Sequence, residues 1–112
     1  MATSNVPLLH RLSFRSGSEV MVEKTVTVQN VSGLDMQTAA MIAENSGRFQ
    51  ADIYLQQGSM RANAKSVMGV MMLAARRGSE LTIIANGEDE EIAMVRMESL
   101  LTEAFEVEVT SP

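Results

Sequence analysis

The chain of 112 residues contains no cysteine, no tryptophan and a single histidine, His10. The absence of cysteine excludes disulfide bonds, thiolate nucleophiles and cysteine-based zinc sites. One histidine is too few for a histidine-rich metal site, so we predict neither a metal ion nor a cofactor. No apolar run approaches the length of a membrane-spanning helix, and we expect no membrane span.

Charge and composition narrow the class of protein further. The sequence has 9 basic and 14 acidic residues, a net charge of -5, and no block of Lys or Arg. A surface that follows a nucleic-acid backbone needs such a block, so we expect no direct binding to nucleic acid. Hydrophobic residues make up 46% of the chain and aromatics only 4%, with ten methionines. This length fits one domain whose core is built from Met, Val, Ile, Leu and Ala.

The two ends of the chain differ in composition from its centre. Residues 1–20 contain several serines and no acid before Glu19. A targeting segment, a disordered leader, or a start site placed too early with Met21 as the true first residue would each fit, and we favour the last two. We assign residues 21–105 to one domain. In residues 106–112 the alternation of Glu and Val fits a frayed end, which we favour, or a short extra strand.

Hydrophobic periodicity predicts seven elements in the order β-α-β-β-α-β-α. Strands are expected near residues 23–28, 49–55, 60–65 and 81–85, and helices near 36–45, 67–73 and 88–105. Gly47 is expected to end the first helix in a left-handed conformation. The buried stripe of the last helix is expected to comprise Ala93, Met94, Met97, Leu100, Leu101, Ala104 and Phe105. Strands with all helices on one face bury both patterns, so we predict an α+β two-layer sandwich.

Two helix starts are candidate sites, because exposed backbone amides there attract anions. Asp35 precedes the first helix. Its carboxylate fits an N-cap that accepts hydrogen bonds from the first turn, and this is the interpretation we favour. The alternative is a fixed anion that occupies a phosphate-binding position.

Ser66 precedes the second helix and also fits an N-cap. A serine at this place is an acceptable phosphorylation target as well, because the added phosphate would face the helix amides. The apolar cluster that follows suits either the core or an adaptable docking surface, and the sequence favours neither. Its members are Val67, Met68, Met71 and Met72.

Three segments, in this order of elements, resemble the HPr family of the bacterial phosphotransferase system, and the resemblance extends over residues 22–105. The most specific segment, residues 63–73, is similar to the regulatory-serine segment of Gram-positive-type members, and residues 78–83 and 87–90 match in place. The resemblance implies an open-faced sandwich with a four-stranded antiparallel sheet and three helices on one face. It also implies a cytoplasmic protein that is not an enzyme.

HPr proteins carry phosphate from Enzyme I to sugar transport proteins on a histidine within the pattern Gly-Leu/Ile-His-x-Arg-Pro-Ala. The corresponding residues here are 33–39, with Asp35 at the histidine position, Gln37 at the arginine position and Thr38 at the proline position. His10 lies outside the matching region. A carboxylate cannot form the phosphoramidate of an imidazole, and Gln37 supplies no cation, so we expect no histidine phosphotransfer.

The regulatory serine is retained. By resemblance, Ser66 is the residue that HPr kinase/phosphorylase modifies. The partner-binding residues that the resemblance implies are Val67, Met68, Met71, Asp35 and Gln37. A retained serine beside a lost histidine is similar to Crh, the HPr-like protein of catabolite repression. The serine-phosphorylated form of such proteins binds a repressor of the LacI type.

Three hypotheses about function follow. The leading one is a regulatory, non-catalytic HPr-like protein of carbon catabolite regulation that is switched by phosphorylation of Ser66. The second is a constitutive partner-binding module in which Asp35 mimics the charge of phosphohistidine. The third is a phosphocarrier in the general family sense, with phosphotransferase-system proteins as its partners.

Overall fold

The computed structural model describes residues 10–14 and 20–102, with side chains from residue 21 onward. The strands and helices in chain order are β1 His10–Phe14, β2 Val20–Thr27, α1 Met36–Ser46, β3 Asp52–Gln57, β4 Met60–Asn63, α2 Val67–Met72, β5 Glu80–Asn86 and α3 Glu90–Thr102. The strands form one sheet in the order β1-β2-β5-β3-β4. Every neighbouring pair is antiparallel.

The predicted α+β sandwich with three helices is confirmed, and the four predicted strands correspond to β2, β3, β4 and β5. The predicted four-stranded antiparallel sheet is thus present, and the structure adds β1 to its edge as a further strand. The strand was missed because only Leu12 and Phe14 alternate with polar residues there, which is too short a pattern to predict a strand.

The predicted domain limits are only partly covered by the structure. Strand β1 lies inside residues 1–20, where a leader was predicted, and most other residues of that segment lie outside the described part. The tail, residues 106–112, lies outside it entirely. The division into leader, domain and tail therefore stays a prediction.

The core lies between the sheet and the helices. Alternate residues of the central strands are fully buried, which is the period-two signature of a sheet covered on one face. Helix α3 packs on β2 and β5, α2 packs on β4, and α1 packs against both of these helices. The residues of α3 that are buried are Ala93, Met94, Met97, Leu100 and Leu101. They match the predicted stripe, whose last two members, Ala104 and Phe105, lie outside the described residues.

Helix α1 ends differently from the prediction. Gly47 has a φ of -65° and a ψ of -13°, which is right-handed, so the expected left-handed termination is wrong. The Gly47 amide instead donates to the carbonyl oxygen of Ala43 at 2.9 Å, which continues the helical bonding for one more residue. A right-handed termination leaves the position open to residues other than glycine.

Candidate functional site

Asp35 begins the first candidate site as the N-cap of α1. One of its carboxylate oxygens accepts a hydrogen bond from the backbone amide of Thr38 at 3.0 Å. Its own backbone carbonyl accepts from the amide of Ala39 at 2.7 Å. The side chain is exposed, so the carboxylate caps the helix and remains accessible from solvent.

The loop before Asp35 rests on the loop that follows α2. Gly33 has a φ of +65°, and a Cβ placed there would lie 2.5 Å from the carbonyl oxygen of Ala75. The amide of Leu34 donates to that same oxygen at 3.0 Å. Both the conformation and the close approach require glycine at this position. The position of Asp35 is therefore fixed by backbone contacts between two loops.

The residues that follow Asp35 provide no cation. Met36 and Gln37 are exposed, and the amide side chain of Gln37 is neutral. The loop that adjoins Gly33 does carry cations, and the Cα of Arg76 would lie 2.9 Å from a Cβ placed on Gly33. Arg76 and Arg77 are exposed. The sequence does not reveal this neighbourhood, because the two segments are separated by some forty residues and are joined by tertiary contacts at Gly33 and Leu34.

Ser66 begins the second candidate site as the N-cap of α2. Its Oγ accepts a hydrogen bond from the amide of Gly69 at 3.0 Å, and its own amide donates to the Asn63 carbonyl at 2.9 Å. A Cβ on Gly69 would lie only 3.1 Å from that Oγ. The residue is half-buried. Glycine at position 69 thus leaves open the space beside the hydroxyl.

Lys65, the cation next to Ser66, is already engaged. Its Nζ donates to the carbonyl oxygen of Phe49 at 2.9 Å and holds the segment before β3 against the start of α2. The role of this lysine in the structure is therefore to join two chain segments.

The apolar cluster on α2 is divided between core and surface. Val70 is fully buried, and Val67 and Met71 pack against the core while half-buried. Met68 and Met72 are 67% and 68% exposed. Of the four residues of the cluster, Met68 and Met72 thus lie on the surface. Helical periodicity accounts for the division, because one face of a short helix meets the sheet and the opposite face meets solvent.

The structure gives no sign of other chemistry in its described part. Within residues 10–14 and 20–102, no group of three or more His, Cys, Asp or Glu is arranged to hold a metal ion. No helix in these ranges is long and apolar enough to cross a membrane. What the two sites offer is a capped, exposed carboxylate and a capped, half-buried hydroxyl.

Comparison with known proteins places the region that contains Asp35 and Ser66 in one family. Residues 22–103 match the family model described as the HPr component phosphorylation site of the phosphotransferase system. The chain is 44% identical over 88 residues to the phosphocarrier protein HPr of Treponema pallidum, which covers 79% of this chain and all of that protein. It is 39% identical over 83 residues to the HPr-like protein Crh of Bacillus subtilis, which covers 74% of this chain and 98% of that protein.

Solved structures agree with this relationship. The HPr crystal structure from Bacillus anthracis has a TM-score of 0.71 at 38% identity and covers 73% of this chain and 98% of that one. The crystal structure of Crh from Bacillus subtilis has a TM-score of 0.62 at 36% identity and covers 73% of this chain and 94% of that one. HPr and Crh are phosphocarrier-type proteins and not enzymes, which confirms the prediction of a non-enzymatic protein. The chain belongs to the HPr family of the phosphotransferase system, and it has a Crh-like character.

Proposed function

We propose that this chain is a cytoplasmic regulatory member of the HPr family that is switched by phosphorylation of Ser66. The kinase is of the HPr kinase/phosphorylase class, and the process is carbon catabolite regulation. The observation that carries the proposal is the contrast between the two sites. Ser66 keeps a hydroxyl at a helix start with open space beside it, whereas Asp35 stands where the family resemblance implies the phosphate-carrying histidine.

The environment of Ser66 suits a phosphoryl group. The Oγ already lies 3.0 Å from the amide of Gly69, so phosphate oxygens on the same atom lie within reach of the first-turn amides of α2. A phosphoserine adds roughly −1.5 to −2 charges at pH 7, which the positive end of a helix stabilises. The group can therefore be added without unfolding α2.

The environment of Asp35 does not suit phosphotransfer. One carboxylate oxygen accepts the Thr38 amide, so only the other is free to take a phosphoryl group, and the product would be an acyl phosphate and not the phosphoramidate of the family. Gln37 offers no positive charge to the three phosphate oxygens. Histidine phosphotransfer from Enzyme I is therefore not the activity we assign to this chain.

Phosphorylation would change the charge of a surface that already carries apolar groups. Met68 is exposed beside Ser66, and Asp35 and Gln37 lie exposed at the start of α1, which packs against α2. Val67 and Met71 support this surface from its half-buried side. A LacI-type catabolite repressor, or proteins of the phosphotransferase system, are the partners we assign to it, with phosphoserine as the selecting charge.

The test is incubation of the full chain with ATP and an HPr kinase/phosphorylase. We expect one phosphate on the native chain and none on Ser66→Ala. Ser59→Ala is the matched control, since Ser59 is an exposed serine in the turn between β3 and β4, and it should be phosphorylated like the native chain. An unmodified native chain, or phosphate retained by Ser66→Ala, contradicts the proposal.

A second candidate function rests on the exposed carboxylate of Asp35. In this version the chain is a constitutive binding module in which Asp35 supplies a permanent negative charge at the phosphohistidine position. Asp35→Asn isolates the charge, because asparagine is as good an N-cap as aspartate. Loss of a phosphotransferase-system partner by Asp35→Asn, with binding retained by Ser66→Ala, supports this function. Equal binding by Asp35→Asn and the native chain rejects it.

A further inference from the structure

Methionine carries all of the sulfur in this chain, because the sequence has ten methionines and no cysteine. The structure separates the described methionines by depth. Met94 and Met97 on α3 lie in the core, with 1% and 0% of their surface exposed. Met36 on α1 and Met68 and Met72 on α2 are 65%, 67% and 68% exposed. The thioethers of these last three side chains are therefore open to small reactive molecules in the solvent.

The three exposed methionines belong to adjoining parts of two helices. Met68 and Met72 are four residues apart on α2, a spacing that places their Cβ atoms about 5–6 Å apart on one face. Met36 is the first residue of α1, which packs against α2. The hydrogen bond of 3.0 Å from the Leu34 amide to the Ala75 carbonyl oxygen joins the start of α1 to the end of α2. We call the three exposed side chains the methionine surface.

Core packing does not account for methionine at these three positions. Most of each side chain lies in solvent, whereas Met41 and Met71 pack against the core. Exposed apolar side chains that lie together mark surfaces that other molecules contact. Methionine suits such a surface because its side chain is flexible and polarizable. The same exposed sulfur atom makes the surface sensitive to oxidants.

A peroxide oxidises an exposed thioether in a single oxygen transfer. A lone pair of the sulfur attacks one oxygen of hydrogen peroxide, an S–O bond forms as the O–O bond breaks, and the second oxygen leaves as water with both hydrogens. The sulfur is oxidised to a sulfoxide and the peroxide is reduced. A methionine sulfoxide reductase reverses the change with a pair of thiols, which become a disulfide while the oxygen leaves as water.

We propose that the methionine surface is an oxidation site that controls partner binding, with the thioether form binding the partner and the sulfoxide form releasing it. This inference deepens the proposed function and rests on it, because Met68 is two residues from Ser66 and Met36 directly follows Asp35. A sulfoxide is polar, so a partner that covers it loses apolar contact and must remove water from the S=O group. Oxidation therefore opposes the effect of phosphoserine on the same surface.

The first measurement is the rate of oxidation of each methionine in the full chain. Hydrogen peroxide is added to the native chain, and the sulfoxide at each position is followed over time by mass spectrometry of peptides. We expect the methionine surface to be oxidised at least about tenfold faster than Met94 and Met97, which react only when the fold opens. The circular dichroism spectrum should not change. Equal rates at exposed and buried positions, or unfolding as the exposed methionines react, overturn the proposal.

The second measurement is the rate at which HPr kinase/phosphorylase and ATP phosphorylate Ser66, since this kinase must contact the serine. The peroxide-treated chain should be phosphorylated about tenfold more slowly than the untreated chain, the size expected from losing the burial of one apolar side chain. Treatment with a methionine sulfoxide reductase and a thiol should restore the rate. An oxidised chain that is phosphorylated at the untreated rate overturns the proposal.

Leucine variants assign the effect to particular sulfur atoms. Met36→Leu/Met68→Leu/Met72→Leu removes the three thioethers with little change in side-chain volume. Met60→Leu is the matched control, because Met60 is 47% exposed at the start of β4 and belongs to neither helix. Each variant is compared with its own untreated rate. Peroxide should leave the rate of the triple variant unchanged and should slow Met60→Leu as it slows the native chain. A triple variant that is still slowed by peroxide overturns the proposal.

Hydrophobic-interaction chromatography separates this inference from the proposed function. A native chain that takes no phosphate from the kinase contradicts the proposed function, but its elution still reports on the methionine surface. The peroxide-treated native chain should elute earlier than the untreated chain, because three exposed apolar groups have become polar. The triple leucine variant should elute at the same position with and without peroxide. Unchanged elution of the oxidised native chain overturns the inference, whatever the kinase assay shows.

Discussion

The amide of Leu34 donates a hydrogen bond of 3.0 Å to the carbonyl oxygen of Ala75 and joins the loop before α1 to the loop after α2. The side chain of Gln57, at the end of β3, holds the end of α2 as well, because its amide nitrogen donates to the carbonyl oxygen of Leu73 at 2.8 Å. Helices α1 and α2 therefore present Asp35 and Ser66 on one packed unit. A change at either site is therefore expected to alter the affinity of a partner that contacts both helices.

Gly33→Ala should destabilise the domain more than the same change at Gly58. Both glycines have φ near +60°, where alanine costs about 1–2 kcal/mol. The added Cβ at Gly33 would also meet the Ala75 carbonyl at 2.5 Å, whereas nothing lies within 4 Å at Gly58. We expect the free energy of unfolding in urea to fall about 1 kcal/mol or more further for Gly33→Ala than for Gly58→Ala. Equal losses would show that the contact with Ala75 is unimportant.

Removing one partner of the ion pair between Lys24 and Glu98 should destabilise the domain more than replacing both partners together. Lys24 is 9% exposed and its Nζ donates to the Glu98 carboxylate on α3. Glu98→Gln leaves a nearly buried ammonium without its counter-ion and should cost about 1–3 kcal/mol. Lys24→Met/Glu98→Leu removes both charges and should recover most of that loss. A double variant that is less stable than Glu98→Gln would contradict this interpretation.

Acid should weaken the attachment of the α3 start to the segment before β3. The Asp89 carboxylate accepts hydrogen bonds from the amides of Gln50 at 2.9 Å and Ala51 at 2.8 Å. The Gln50 bond is the largest cause, and with Ala51 it outweighs desolvation and holds the pKa of Asp89 below its ordinary value of 3.8. A pKa lowered in the folded state contributes stability above the unfolded pKa, which is lost as pH falls through the folded value.

Asp89→Asn should therefore lower the thermal midpoint at pH 7 and flatten the loss of stability on the acid side of pH 3.8. The matched control is Asp52→Asn, since Asp52 is an exposed aspartate at the start of β3. Thermal unfolding followed by circular dichroism between pH 2 and pH 7 is the measurement. An unchanged pH profile in Asp89→Asn would exclude the amide contacts as its source.

Gly69→Ala should slow phosphorylation of Ser66 without unfolding α2. Alanine has a better helix propensity than glycine by about 1 kcal/mol, which favours the helix. Its Cβ would lie 3.1 Å from the Ser66 Oγ and narrow the space around the hydroxyl. We expect a several-fold lower rate with the kinase. Gly47→Ala is the control, because the right-handed Gly47 lies at the end of α1 and the rate should not change there.

The sequence predicted best those features that depend on neighbouring residues. The caps at Asp35 and Ser66 follow from residue type and from the helical pattern that comes next, and both form the expected hydrogen bonds. The alternation in β3 likewise placed Ile53 and Leu55 on one face, and both side chains are buried. Local chemistry determines these features, so a local pattern is enough to find them.

Features that depend on distant contacts were missed. The pairing of β1 depends on the β2 edge, and its own five residues carry too little pattern to predict a strand. The proximity of Arg76 to the loop before Asp35 depends on the approach of Gly33 to Ala75. The sequence also did not show which members of the α2 cluster are buried. Val67 and Met68 are alike in hydrophobicity, and only the packing of the helix places Met68 on the surface.

The most direct test of the account is the intact mass of the chain after two parallel reactions. One contains ATP with HPr kinase/phosphorylase, and the other contains phosphoenolpyruvate with Enzyme I. We predict one added phosphate in the first reaction, absent from Ser66→Ala, and no added phosphate in the second. An unmodified chain in the first reaction, or phosphate on the chain in the second, would contradict the assignment of a regulatory serine switch beside an inactive Asp35 position.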